Sequence, residues 1–74
     1  MSELQVTLTD QERRVLEALA DGHSAGETGR RLYLSVATVK GHRSTLLRKL
    51  GARNAPQAVA IAYQRGLLTV DAAS

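Results

Sequence analysis

Leu32-Tyr33-Leu34-Ser35-Val36-Ala37-Thr38-Val39-Lys40-Gly41-His42-Arg43-Ser44-Thr45-Leu46-Leu47-Arg48-Lys49-Leu50 is the stretch that decides the fold. A serine oxygen can accept from the free amides of a helix's first turn, so Ser35 marks a helix that begins at Val36. At about 100° per residue, Val36, Val39, Leu46, Leu47 and Leu50 fall in one sector, which predicts the buried face. Gly51 then ends the helix, because glycine reaches the left-handed conformation without a side-chain clash. The opposite sector holds Ala37, Lys40, Gly41, Ser44 and Arg48. One helix thus has a leucine-rich side and a small, positive side.

Upstream, Ser24 with Glu27 forms a capping box, in which the hydroxyl accepts from the third helical amide and the carboxylate reaches back to the cap amide. This predicts a helix over about 25–32. It is locally poor, since Gly26 and Gly29 each cost about 1 kcal/mol relative to alanine in a helix interior, and Thr28 takes its inward side. Only Tyr33 and Leu34 then separate it from Ser35. A short helix, a tight link and a longer basic helix make the pattern of a helix-turn-helix, with Leu32 and Leu34 anchoring the turn. Thr9 with Glu12 opens a helix over about 10–21 that puts Val15, Leu16 and Leu19 on one stripe. Asn54 with Gln57 opens another over about 55–65, with Pro56 tolerated in its first turn. Gly22 and Gly66 stand where the first and last helices end. Apart from a weak alternation at Leu4–Leu8, treated as part of an extended arm, no strand pattern is present. The fold class predicted is all-α, a four-helix bundle with a central helix-turn-helix. The arm covers residues 1–7, the domain 8–68 and a tail 69–74.

The chain has 74 residues, enough for one domain. Its core must be small and aliphatic, drawn from 11 Leu, 11 Ala, 6 Val and one Ile, with two Tyr and no Phe or Trp. Without cysteine there is no disulfide staple and no thiolate site, and His23 and His42 alone are a poor basis for zinc, so no metal or other cofactor is expected. No nucleophile with an adjacent base, no paired carboxylates in an apolar setting and no phosphate loop can be assembled, which argues against an enzyme. With no apolar run near the roughly 18 residues of a membrane span and no leader pattern, the expected location is the cytoplasm, associated with the nucleoid.

The net charge of +3 conceals a division along the chain. Residues 1–27 carry net −4, whereas residues 28–74 carry net +7 with Asp71 as their one acid. Such a block suits a polyanion, because each neutralised phosphate releases condensed counterions. It is also what an ordinary solvated helical surface gives, so charge alone does not decide. Geometry adds the rest. Ala37, Gly41 and Ser44 give a low profile around Lys40, as entry into a major groove requires. Ser35, Thr38, His42, Thr45 and Lys49 flank that stripe, where hydroxyl, imidazole and ammonium groups can hold phosphates. Arg43 falls inside the apolar sector, and its guanidinium is expected to reach an acid of the first or second helix, or a phosphate.

Several linked motifs now come together: Leu8-Thr9-Asp10-Gln11-Glu12-Arg13, Ala20-Asp21-Gly22-His23-Ser24, Thr38-Val39-Lys40-Gly41-His42-Arg43, Leu47-Arg48-Lys49-Leu50-Gly51 and Gln57-Ala58-Val59-Ala60. In this order the chain resembles the LuxR/FixJ-type helix-turn-helix, also called the GerE or NarL-type effector domain, from Leu8 to Leu68. The resemblance implies a four-helix DNA-binding domain that serves as the output module of bacterial response regulators and quorum-sensing receptors and binds operators as a dimer. It implies base and phosphate contact for Lys40 and backbone contact for Thr38 and His42, with Ser44 one turn beyond. The chain departs from the pattern at Val36 and Ala37, where polar or charged residues are common, and at Gly41, where a larger residue is usual. It departs again at Ala25-Gly26 and Thr28-Gly29, in place of an Asn-Lys and an Ile-Ala pair.

The last helix lines its core side with Ala55, Val59, Ala62 and Gly66, followed by Leu67 and Leu68. Ala60 and Ile61 point elsewhere, beside Gln57, Gln64 and Arg65, which marks this second side as a candidate homodimer face. Two-fold pairing there sets two recognition helices about 34 Å apart, one turn of duplex. The function expected is a sequence-specific double-stranded DNA-binding regulator, with RNA polymerase as a further candidate partner. If the 74 residues are complete, control rests on abundance, dimerisation or a partner rather than on a fused sensor. The competing readings are a protein-interaction module that keeps the fold and a sigma region-four-like module; the segment from Gly51 to Leu68 argues against the latter.

Overall fold

Each of four helices begins at the side chain that caps it. In the computed structural model, which describes residues 7–69, they are α1 (Asp10–Ala20), α2 (Ala25–Leu32), α3 (Val36–Leu50) and α4 (Ala55–Gln64). Both capping boxes close. Glu12 N donates to Thr9 Oγ1 at 3.1 Å and Thr9 N to Glu12 Oε1 at 3.0 Å; the Ser24–Glu27 pair repeats this at 3.1 and 2.9 Å. At α4 the box is reshaped: Gln57 N donates to Asn54 Oδ1, but the Gln57 side-chain oxygen accepts from Arg53 N at 2.6 Å, one residue before the cap. Gly22, Gly51 and Gly66 all take positive φ.

The helices are all-α in the order expected and within one residue of the expected ends. α3 is the spine: it packs on α1, α2 and α4, while α1 also touches α2 and α4. The core gathers Val15 and Leu16 of α1, Leu46 and Leu50 of α3, Ala58 and Ala62 of α4, and Leu68 beyond. Alanines at both α4 core positions bring that helix close to the spine, which suits a chain with so few large apolar residues. No helix among the described residues is long and apolar enough to cross a membrane. The expected arm lies outside the described residues except for Thr7, and the tail except for Thr69.

Three expectations about burial need correction. Val36 is 45% exposed rather than buried, because the first turn of α3 projects past the helices that cover Val39, Leu46 and Leu50. On α4, Ala58 is fully buried and Gly66 exposed, so the inward side is rotated from the one expected. Ile61, expected to face outward, is half-buried and packs against the core.

The α2–α3 link turns on a single close approach. Leu34 N donates to Gly29 O at 2.8 Å, and a Cβ at Gly29 would lie 2.5 Å from Leu34 O. Gly29 therefore weakens α2 as a helix but lets the chain fold back on it. Thr28 beside it is 1% exposed. The residue that ends α2 is Tyr33, with φ 60° and ψ 43°, a left-handed conformation that costs a non-glycine residue about 1–2 kcal/mol.

Candidate nucleic-acid interface

The outer face of α3 follows from the anchoring of its inner one. With Val39, Leu46 and Leu50 locked in the bundle, Ala37, Lys40, Gly41, Ser44 and Arg48 are all exposed. Among the described residues Lys40 and Arg48 have no ion-pair partner, so both cations are available to a ligand. Gly41 has normal helical φ and nothing within 4 Å of where a Cβ would stand. The fold therefore does not require glycine there. Gly41→Ala should raise stability by about 0.5–1 kcal/mol, the helix-propensity difference; an unchanged or lower urea midpoint would show that a neighbour crowds the site.

The hydroxyls divide by where their hydrogens go. Ser35 Oγ accepts from Thr38 N at 3.1 Å and donates to Thr38 Oγ1 at 2.8 Å. Thr45 Oγ1 donates to Gly41 O at 3.1 Å. Phosphate oxygens only accept, so Thr38, whose hydrogen is still free to donate, is the better placed of the three. His42 and Arg43 are half-buried at the edges of the face. The acid expected to meet Arg43 is not found: no Asp or Glu among the described residues lies within ion-pair distance of it.

Lys49 has a different partner from the one expected. Its Nζ lies 2.7 Å from Glu12 Oε1 and donates to Thr7 O at 3.1 Å, so it ties the C-terminal turn of α3 to the start of α1. Glu12 is 6% exposed. The Lys49 ammonium, hydrogen-bonded to its carboxylate and aided by the Thr9 amide, holds it below the ordinary value of 4.5. A carboxylate with a lowered folded pKa contributes stability that is complete above the unfolded value and lost as pH falls through the folded one. In Lys49→Met the urea midpoint should drop at pH 7, by about 1 kcal/mol given Lys49's partial exposure. That deficit should shrink as pH is lowered through the depressed pKa that Glu12 has in the folded wild type. A deficit that stays constant down to the acid limit of the fold would mean that Lys49 acts by packing, not by charge.

On α4, Gln57, Ala60, Tyr63 and Gln64 are exposed and Arg65 caps the helix. Tyr63, 41% exposed, joins the face proposed for pairing. Sequence periodicity passed over it because an aromatic residue was assigned to neither side.

A bundle whose second and third helices meet at a tight turn, with the third presenting free cations outward, defines a helix-turn-helix domain. Residues 6–62 match the model of the family described as bacterial regulatory proteins, luxR family. The chain belongs to this family. It is 39% identical over 67 residues to the transcriptional regulatory protein YdfI of Bacillus subtilis (strain 168) and 36% identical over 67 residues to the response regulator protein VraR of Staphylococcus aureus (strain Mu3 / ATCC 700698). Each match covers 90% of this chain and 32% of the relative. Among solved structures it is similar to the VqmA dimer of Vibrio cholerae, described with LuxR-type receptors and a conformational shift in the absence of target DNA. The TM-score there is 0.83 at 30% identity, covering 90% of this chain and 30% of that one. The chain thus spans about a third of the length of these relatives.

Proposed function

We propose that the protein is a double-stranded DNA-binding transcriptional regulator in which α3 enters the major groove. The observation that carries this reading is the position of Lys40: exposed, without an ion-pair partner among the described residues, and set among the small residues Ala37, Gly41 and Ser44 on the side opposite the α3 core anchors. Lys40 supplies base and phosphate contact, Thr38 and His42 backbone contact, and Arg48 a further cation toward the phosphates. Ser35 and Thr45 line the approach, with their hydroxyl hydrogens already committed. Lys49 is left out of the contact set because it serves the bundle. Membership in the luxR family, and relatives whose names are those of regulators, support the same reading.

Binding is as a dimer through Gln57, Ala60, Tyr63, Gln64 and Arg65 of α4, with Ile61 at the edge. Such a small patch gives weak pairing that two half-sites on one duplex would strengthen. The protein acts in the cytoplasm, where such a duplex lies, and RNA polymerase is a further partner. Selection from random duplexes followed by a salt series tests the reading. A two-fold symmetric site is expected, with affinity falling steeply as salt rises. Recovery of no enriched duplex at low salt overturns it.

A further inference from the structure

Tyr33 is the most exposed large hydrophobic residue among the described residues, at 95%, and it occupies the left-handed backbone conformation that ends α2. These two facts do not fit a structural role. The ring contributes almost no burial, and glycine or asparagine would take the same conformation at lower cost. The turn uses the backbone of Tyr33 but not its ring, and a strained position that carries a large side chain the fold does not bury points to a contact outside the fold.

Its surroundings indicate what it contacts. Tyr33 is two residues before Ser35, so its Cα lies within about 7 Å of the α3 cap. Arg30 and Arg31 are exposed in the preceding turn, and Ser35 to Thr38 are exposed in the following one. No acid occurs from Thr28 to Val70. A phenol O–H among cations and hydroxyls suits an anionic acceptor. Beside a helix in the major groove, that acceptor is a backbone phosphate. We propose that Tyr33 donates its hydroxyl to a DNA phosphate flanking the entry of α3, as a positioning residue that fixes how the helix sits in the groove. The proposal rests on the reading of α3 as the groove-inserted helix. A neutral donor displaces no condensed counterion, so this contact should add affinity without adding salt dependence, unlike that of Lys40.

The test uses the full chain and a duplex selected from random sequence. Tyr33→Phe should bind roughly fivefold more weakly with an unchanged salt slope. Replacing phosphates one at a time by neutral methylphosphonate should reveal one position that weakens the wild type by a similar factor and Tyr33→Phe no further. Tyr33→Gly should raise Tm by about 4–8 °C and still bind DNA more weakly, which separates the contact from folding. Equal binding by wild type and Tyr33→Phe, with Lys40→Ala weakened, removes the role of Tyr33 and leaves the groove reading standing. The same conclusion follows if Tyr33→Phe binds duplex normally but loses RNA polymerase, since the ring would then serve a protein. A wild type that retains no duplex removes both readings.

Discussion

Lys40→Ala should weaken binding to a selected duplex by roughly 10- to 100-fold and lower the slope of log affinity against log salt by about one. The side chain is exposed on the sector away from Val39, Leu46 and Leu50, so its removal disturbs no packing and Tm should stay within a degree or two. Lys40→Arg keeps the charge but replaces a compact ammonium with a planar fork. It should retain most non-specific affinity while changing which duplexes are preferred. Unchanged affinity in Lys40→Ala, in a protein that still binds DNA, would mean that another surface meets the duplex and that the role given to α3 is wrong.

Gly29→Val should cost the fold about 3 kcal/mol, lowering Tm by roughly 12–24 °C. Two effects compete. Valine is a few tenths of a kcal/mol better than glycine in a helix, which stabilises α2. Against this, a Cβ at this position lies 2.5 Å from the Leu34 carbonyl oxygen, and the obstacle is backbone held by the Leu34 N to Gly29 O bond, so it cannot rotate away. The added methyls of valine make the clash decisive. Gly29→Ala should be milder, because a gain of about 1 kcal/mol in helix propensity offsets part of the shift it forces. Urea and thermal melts of the two variants check the order; Gly29→Val within about 0.5 kcal/mol of the wild type would show that the turn has room to open.

Most of the fold was legible in the sequence because its punctuation is local. The Thr9–Glu12 and Ser24–Glu27 boxes and the Asn54 cap join residues three apart, and Gly51 and Gly22 announce positive φ by their identity. The end of α2 gave no such sign: Tyr33 takes the conformation usually marked by glycine, and only the folded chain imposes it. Gly29 read as a defect because its benefit depends on a carbonyl five residues away meeting it in space. On α3, periodicity placed Val39, Leu46 and Leu50 inside and Lys40 outside, yet could not tell that the bundle stops short of Val36. On α4 the alanines carry too little contrast in hydropathy to fix which side faces in, so Ala58 was missed and Ile61 set outward. The Lys49 ion pair was out of reach for the plainest reason: its partners Glu12 and Thr7 lie 37 and 42 residues away, beyond any local pattern.

The open space beside Gly41 has a further consequence. Neither it nor its neighbours Ala37 and Ser44 on the outer side of α3 takes part in holding the molecule together, so they form a register of letters that can be rewritten while the scaffold stays fixed. A library that varies these three positions without proline should melt within a few degrees of the Gly41→Ala protein while its preferred duplexes diverge. On the proposed reading of α3, divergence of target and maintenance of architecture would run on separate sets of residues.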